Sequence, residues 1–322
     1  MRIFVDVPLT QEAMKLLQDS ILGHQLVLPN NPTKSVLEMA KWDENISNAE
    51  VFFGQPDPLF IEKANNLKWI HVSSSGITRY DNPFFRNLVA KRNIVVSNSA
   101  MVYNEQCAMH VLCFILAQAR NLPYSLKTRV ESGTKTWHDL RASCVPLQGQ
   151  TVLIVGFGAI GKRLAELLEP FHMNVLAYRR KPRGDENVPV LSNEQLTNIL
   201  SAQADHIVNL LPYSQETHHF FDEARFANVK RGSIFYNIGR GTTVDQTALV
   251  KALRSKVLKA AWLDVTDPEP LPDNHPLLSE PNCFITPHVA GGDSDEVMKL
   301  VKHFIGNLHR FSKGEKLLDT VM

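Results

Sequence analysis

The stretch TVLIVGFGAIGKRLAELLEPFHMNVLAYRR, residues 151–180, restricts the fold of this chain more than any other. A short apolar run, 152–155, enters a glycine-rich turn, a helical pattern follows, and a second apolar run from Val175 ends at Tyr178. Gly156, Gly158 and Gly161 make G-x-G-x-x-G inside a strand, turn, helix and strand, the context that separates a dinucleotide turn from a chance glycine loop. There the first glycine permits the tight bend, the second lets backbone amides approach a pyrophosphate, and the third packs helix against strand. The helix opens at Ala159 and Ile160, with the positive end of its dipole toward the phosphate.

A dinucleotide fold usually ends the second strand on an acid that accepts hydrogen bonds from the ribose hydroxyls of NAD. This chain places Arg179 and Arg180 there. A guanidinium binds a 2′-phosphate through paired, charge-assisted hydrogen bonds and stacks on adenine, so NADP(H) is the expected cofactor and NAD(H) the alternative. The competing reading makes both arginines part of a solvated basic loop with Lys181 and Arg183. Asp185 lies close by, in the loop beyond the strand end.

With 322 residues the chain exceeds one ordinary core, and two domains are expected. Strand candidates at 3–5, 25–28, 51–53, 69–72 and 94–96 alternate with helical patterns, as do 207–210, 233–237, 260–265 and 283–286, with a helix over 245–253. Such alternation argues for parallel βαβ construction. The segment 100–119 reads as a long buried helix that links two domains or meets a second subunit. The amphipathic segment 293–311 is too small to stand alone and is expected to return to the first domain. The fold class is thus α/β, with two Rossmann-like doubly wound domains on parallel sheets, the outer one discontinuous. Residues 1–98 and 289–322 form the outer, substrate domain, and 99–288 the dinucleotide domain.

The 34 basic and 33 acidic side chains nearly cancel, which argues against nucleic acid or a membrane surface as partner. Cys107, Cys113, Cys144 and Cys283 lack C-x-x-C spacing or zinc-like histidine partners, so they read as reduced thiols and no metal is expected. The N-terminus starts directly as a strand, and no run approaches the apolar length of a membrane helix, so the expected location is the cytoplasm.

Three later strands end in loops that carry chemistry. NIGRGTTVD brings Arg240, LDVTDPEPLP brings Asp264, Asp267 and Glu269, and TPHVAGG brings His288 just after a proline. Ligands of open α/β sheets bind at such strand ends. An arginine fork can hold a carboxylate and polarise the adjacent carbonyl. A buried carboxylate beside an imidazole favours its charged form and raises its pKa, which makes it a proton donor to a forming alkoxide. This set suits reduction of a 2-oxo acid. The structural alternatives are an ion-paired Arg240 and a satisfied core His288.

GFGAIG, NIGRGTTVD, LDVTDPEPLP and TPHVAGG stand in the order of a known family's signatures: the chain resembles the D-isomer-specific 2-hydroxyacid dehydrogenases over nearly its whole length. LDVTDPEPLPDNHPLL followed by PHVAGG is most similar to the glyoxylate and hydroxypyruvate reductases, many of which prefer NADPH. The resemblance implies Arg240 for the substrate carboxylate and carbonyl, His288 as acid/base, and Glu269, the acid immediately before the proline of EPLP, as its partner. It implies Asp264 on the nicotinamide amide and backbone amides near Ser75 and Gly76 around the substrate carboxylate. Pro212, Ile238 and Gly239 complete the expected cofactor-binding set. A homodimer is implied as well. Two readings compete with a reductase: a nucleotide-sensing corepressor or scaffold of the same fold with little turnover, and a formate- or phosphite-type dehydrogenase. The chain departs from the family at Thr78, Arg79 and Tyr80, where an Asp often stands, which makes Arg79 and Tyr80 candidates for the pocket mouth. It departs again at Ala108-Met109-His110, where many members read Ala-Glu-His. Trp137 and His138 are candidate pocket residues from a neighbouring subunit. His110, His218 and His219 read as surface or packing residues.

Overall fold

The computed structural model describes residues 1–21, 23–184 and 186–322. Its twelve strands are β1 (Arg2–Asp6), β2 (Gln25–Val27), β3 (Val51–Gly54), β4 (Trp69–Val72), β5 (Val95–Ser97), β6 (Thr151–Val155), β7 (Asn174–Tyr178), β8 (Val190–Leu191), β9 (His206–Asn209), β10 (Ser233–Asn237), β11 (Leu258–Leu263) and β12 (Cys283–Ile285). The helices are α1 (Gln11–Ser20), α2 (Pro83–Lys91), α3 (Ala100–Ala119), α4 (Leu122–Lys127), α5 (Lys135–Ala142), α6 (Ala159–Leu168), α7 (Asn193–Ala202), α8 (Glu223–Ala227), α9 (Gln246–Arg254), α10 (Pro276–Ser279) and α11 (Glu296–Ser312). Most strands keep the positions their apolar runs indicate, with ends moved by one or two residues; β8 is too short to show a pattern.

The chain divides into two compact units, Met1–Tyr103 with Gly292–Met322, and Asn104–Gly291. The first division falls inside α3, a few residues beyond 98, because the first turn of that helix is tied to the outer unit. The Tyr103 hydroxyl donates to the Ser73 carbonyl at 2.9 Å and to Glu296 at 2.8 Å, and the Met101 amide donates to Asp319. By length and apolar composition α3 is sufficient to cross a membrane, which corrects the expectation that no segment approaches this. Part of that length is buried: Ala108, Val111 and Ile115 have no exposed surface.

The first unit has a five-stranded parallel sheet in the order β2-β1-β3-β4-β5. The central strands are apolar on both faces, as expected where helices cover both sides of a parallel sheet. Phe304 of α11 stacks on Phe53 at 4.5 Å and on Trp69 at 5.2 Å. The C-terminal tail continues onto β5, where the Val96 and Val321 amides bond to the carbonyls of Met322 and Val96.

The second unit has a seven-stranded sheet, all parallel, in the order β12-β11-β10-β9-β6-β7-β8. Register brings the strand ends abreast: Val155 lies opposite both Tyr178 and Asn209, Asn209 opposite Asn237, Asn237 opposite Leu263, and Leu263 opposite Ile285. The order of crossovers reverses between β6 and β9, so the ligand-binding crevice of this sheet lies outside their carboxyl ends.

Candidate active site

The glycine turn leaves β6 at that reversal. Gly156 has φ +99°, and a Cβ there would lie 2.8 Å from the Leu210 carbonyl carbon, so a side chain is excluded by both strain and overlap. A Cβ on Gly161 would approach the Gly156 carbonyl oxygen to 3.1 Å, which is the close helix–strand packing. Gly158 differs, because nothing lies within 4 Å of its Cβ position. It is also the N-cap of α6 and offers no side-chain cap, whereas Thr10, Asn82, Thr134, Ser192, Asp222 and Asp245 cap their helices. The first-turn amides of α6 therefore have no side-chain cap at the positive end of a dipole, an arrangement that fits an anion.

Two strands away, the loop after β10 is held by a buried amide network. Asn209 Nδ2 donates to Asn237 Oδ1 at 3.0 Å and to Thr243 Oγ1 at 2.7 Å, while Asn237 Nδ2 and Thr243 Oγ1 both donate to the Arg240 carbonyl. Oδ1 of Asn209 and of Asn237 accept from the Leu211 and Gly239 amides. Ile238 is buried, a Cβ on Gly239 would fall 2.6 Å from the Leu211 carbonyl, and the Pro212 carbonyl accepts from Thr217, so the two strand-end loops lie against each other. Gly241 lies so close to the Thr266 carbonyl that any side chain would overlap backbone. Arg240 is thus fixed at its backbone, and its side chain donates to the Gly239 carbonyl at 2.6 Å. Burial lowers the pKa of its guanidinium, against the field of Glu269. These asparagines and Thr243 escaped the sequence reading because they act on backbone, a role without a motif beyond their place at strand ends.

From β11 the chain continues into Asp264 and the loop of acids. Asp264 Oδ1 accepts from Thr286 Oγ1 at 2.6 Å and from the Val289 amide at 2.9 Å, and Oδ2 from the Ala290 amide at 2.9 Å. The Asp264 carbonyl accepts the His288 amide. One carboxylate therefore fixes the whole loop that carries His288, a residue at φ +53°. Glu269 meets that histidine, with Oε1 2.5 Å from His288 Nδ1 and Oε2 accepting the Thr266 amide at 3.4 Å. Asp267 instead uses its backbone, bonding to Gln246 through both amide and carbonyl. Of the candidate acids Glu269 alone is hydrogen-bonded to the imidazole, among the described residues. Both side chains are about two-fifths exposed, at 42% and 40%, so the carboxylate is not buried as expected from the sequence and the pair is open to a small ligand.

Comparison with known proteins agrees with this geometry. Residues 112–290 match the family described as D-isomer specific 2-hydroxyacid dehydrogenase, NAD binding domain. The human glyoxylate reductase/hydroxypyruvate reductase is 35% identical over 225 residues, covering 70% of this chain and 67% of its own. The glyoxylate reductase of Thermofilum pendens is 32% identical over 80% of this chain and 76% of its own. The crystal structure of a D-isomer specific 2-hydroxyacid dehydrogenase family protein from Aeromonas salmonicida superposes with a TM-score of 0.79 at 28% identity, over 100% of this chain and 98% of that one. The chain belongs to the D-isomer specific 2-hydroxyacid dehydrogenases.

In this dehydrogenase the two arginines after β7 are not equivalent. Arg179 is largely buried and paired with Glu186 at 3.0 Å, whose carboxylate also accepts the Arg183 and Gly184 amides. Arg180 is 67% exposed and pairs with Glu216, itself 65% exposed. Glu186, missed in the sequence, organises this loop; it stands eight residues past the strand end, beyond the reach of motif reasoning. Asp185 lies outside the described residues.

In the first unit, Asn98 Nδ2 donates to the Ser75 carbonyl at 2.6 Å, the Ser99 amide to the Ser74 carbonyl, and Ser74 Oγ to the Gly76 carbonyl. The carbonyls are thereby occupied, while the amides of Ser75 and Gly76 have no acceptor among the described residues. Tyr80 is fully buried and donates to Gln55, so it is a core residue rather than part of a pocket mouth. Trp137 makes ring contacts with His138 and with Arg141 on α5. His218 and His219 stack on each other at 4.0 Å.

His110 requires a correction. Its Nε2 lies 3.2 Å from Thr286 Oγ1 and 3.7 Å from Asp264 Oδ1, and burial lowers its pKa against the field of that carboxylate. Thr286 donates its only proton to Asp264, so His110 is the donor in the 3.2 Å contact. It belongs to the network that holds the His288 loop, where sequence spacing had shown only packing.

Proposed function

We propose that this dehydrogenase reduces a small 2-oxo acid of the glyoxylate or hydroxypyruvate type to the D-2-hydroxy acid, with NADPH as the preferred hydride donor. The observation that carries the reading is the 2.5 Å contact between His288 Nδ1 and Glu269, on a sheet edge that also presents Arg240 and the glycine turn. The bound cofactor supplies the hydride. Glu269 fixes the ring through Nδ1, which leaves Nε2 of the protonated imidazole to donate to the substrate oxygen as it gains charge. Such general acid catalysis contributes roughly 10² to 10⁴ in rate. Arg240 holds the carboxylate and polarises the carbonyl. The amides of Ser75 and Gly76, which have no acceptor among the described residues, are suited to an anionic ligand. Preference for NADPH rests on Arg180, whose exposed ion pair with Glu216 costs little to exchange for a 2′-phosphate. Arg179 is neutralised by its pair with Glu186, so the preference does not draw on it. Asp264 keeps one acceptor position of the four a carboxylate offers, enough for the nicotinamide amide.

Steady-state turnover of glyoxylate, hydroxypyruvate and pyruvate with NADPH and with NADH tests this. Turnover with NADPH exceeding that with NADH is the expected result. Equal or better rates with NADH refute the cofactor preference, and no turnover of any 2-oxo acid refutes the reductase. We also propose a homodimer, supported by apolar side chains that α3 and the segment after it leave exposed: Met109, Leu122, Tyr124 and Leu126.

A further inference from the structure

Within the second unit, one face of α3 is seated on the strand that leads into Asp264. Phe114 packs on Trp262 of β11 with ring centres 5.0 Å apart, and Trp262 Nε1 donates to Gln118 Oε1 at 2.8 Å. His110, one turn before Phe114, meets that ring edge-on at 4.4 Å. Packing against β11 thus sets where the imidazole stands. Cys107, a further turn back, is buried, and burial pushes its thiol up to about 12, so it brings no charge to this face.

From His110 the hydrogen bonds run in one direction. Burial disfavours the charged ring, so the imidazole is neutral with its proton on Nε2, the atom 3.2 Å from Thr286 Oγ1. A hydroxyl has one proton and would otherwise rotate toward any acceptor; with a donor already on its oxygen, Thr286 turns that proton to Asp264 Oδ1 at 2.6 Å. Oδ1 then accepts from Thr286 and the Val289 amide, and Oδ2 from the Ala290 amide. These two amides belong to the residues directly after His288. Asp264 is 2% exposed, so a bond lost there has little solvent to replace it.

We propose that His110 is a positioning residue for His288: by directing the Thr286 proton onto Asp264 it holds the carboxylate in the orientation that clamps the Val289 and Ala290 amides, and with them the imidazole. This rests on the reductase reading above and adds the group on α3 that sets the place of its acid/base. His110 acts through Thr286 and Asp264 and takes no part in the proton transfer. Without it Thr286 is free to turn its proton elsewhere, the buried carboxylate loses one of three bonds, and the loop of His288 shifts. A misplacement of about 1 Å at a reacting group costs on the order of 10²-fold in rate. For the loss of one hydrogen bond the expected fall in kcat is about 10-fold, equivalent to about 1.4 kcal/mol.

The test measures kcat and KM for glyoxylate and hydroxypyruvate at saturating NADPH in wild type and four variants. His110→Phe keeps the ring contact with Phe114 and removes the donor, His110→Gln restores a donor, Thr286→Val removes the hydroxyl, and the fourth combines His110→Phe with Thr286→Val. The expected result is that kcat falls about 10-fold in His110→Phe with KM little changed, recovers in His110→Gln, and is no lower in the double variant than in Thr286→Val alone. Thermal melting of each variant separates this from loss of the fold. Histidine nitrogen NMR of the wild type is a check without turnover: the Nε2–H tautomer of His110 is expected, and a ring protonated on Nδ1 alone overturns the proposal. Wild-type turnover with kcat unmoved in His110→Phe, a loss that His110→Gln does not recover, or losses that add in the double variant overturn the role of His110 and leave the reductase standing. Absence of turnover of 2-oxo acids by the wild type overturns both.

Discussion

Glu269 and His288 form the contact on which the proposed chemistry turns, and each is reached from its own loop, 19 residues apart. In the proposed mechanism Glu269 positions the ring and His288 carries the proton, so their losses differ in kind. His288→Ala is expected to lower kcat by roughly 10² to 10⁴ while the dissociation constant for NADPH stays within a few-fold, because the glycine turn proposed to hold the cofactor is a separate part of the unit. Glu269→Gln keeps a hydrogen-bond partner but removes the charge, and a smaller loss with an altered pH–rate profile is expected. Stopped-flow reduction and cofactor fluorescence titration check both; lost NADPH binding with normal chemistry in the remaining complex refutes the assignment. At the same scale Gly156 and Gly241 are places where backbone meets backbone, and no side chain fits either.

The elements bring these residues together by register. Six parallel strands end abreast, and the loops along that edge are shaped by different devices: the absent side chain of Gly156 in the glycine turn, the buried amides of Asn209 and Asn237 behind Arg240, and the carboxylate of Asp264 behind His288. The strands were legible because buried parallel strands are continuous apolar runs with turn residues at their ends. The device behind each loop was not, since a polar residue at a strand end looks alike whether it meets ligand or backbone. The helices following Asn104 pose the question of assembly. Leu126 of α4 is 82% exposed. For the proposed dimer, sedimentation is expected to give twice the 36.3 kDa chain mass, and Leu126→Glu to shift it toward the monomer; a wild-type protein that sediments only as monomer overturns the proposal.

Across the whole molecule each unit buries a neutral histidine in its sheet. His71 in the first unit is fully buried beside Ser97, and burial pushes its pKa well below the ordinary value. His206 in the second bonds to Tyr236 and Gln150, and burial lowers its pKa to about 4. An unfolded histidine titrates near pH 6.5, so between about 6.5 and 4 the unfolded chain binds the proton that the folded one refuses. Stability is full above that window and falls as pH drops through it, by about 3 kcal/mol for His206 alone, with His71 adding in the same direction. Urea unfolding from pH 7.5 to 4 checks this. His206→Gln is expected to flatten the decline, and a parallel slope in that variant counts against it.

From its order of residues alone, this chain set its α/β alternation, its glycine turn and the loops that hold Arg240, Glu269 and His288, because period, turn chemistry and strand ends are local properties. The tertiary structure decided the pairings: Asp264 on the loop of His288, Arg179 on Glu186, and His110 on Thr286 across 176 residues. Those choices depend on distances of a few ångströms between groups remote along the chain or separated by irregular loops. Strand register and packing fix such distances, and no local pattern encodes them.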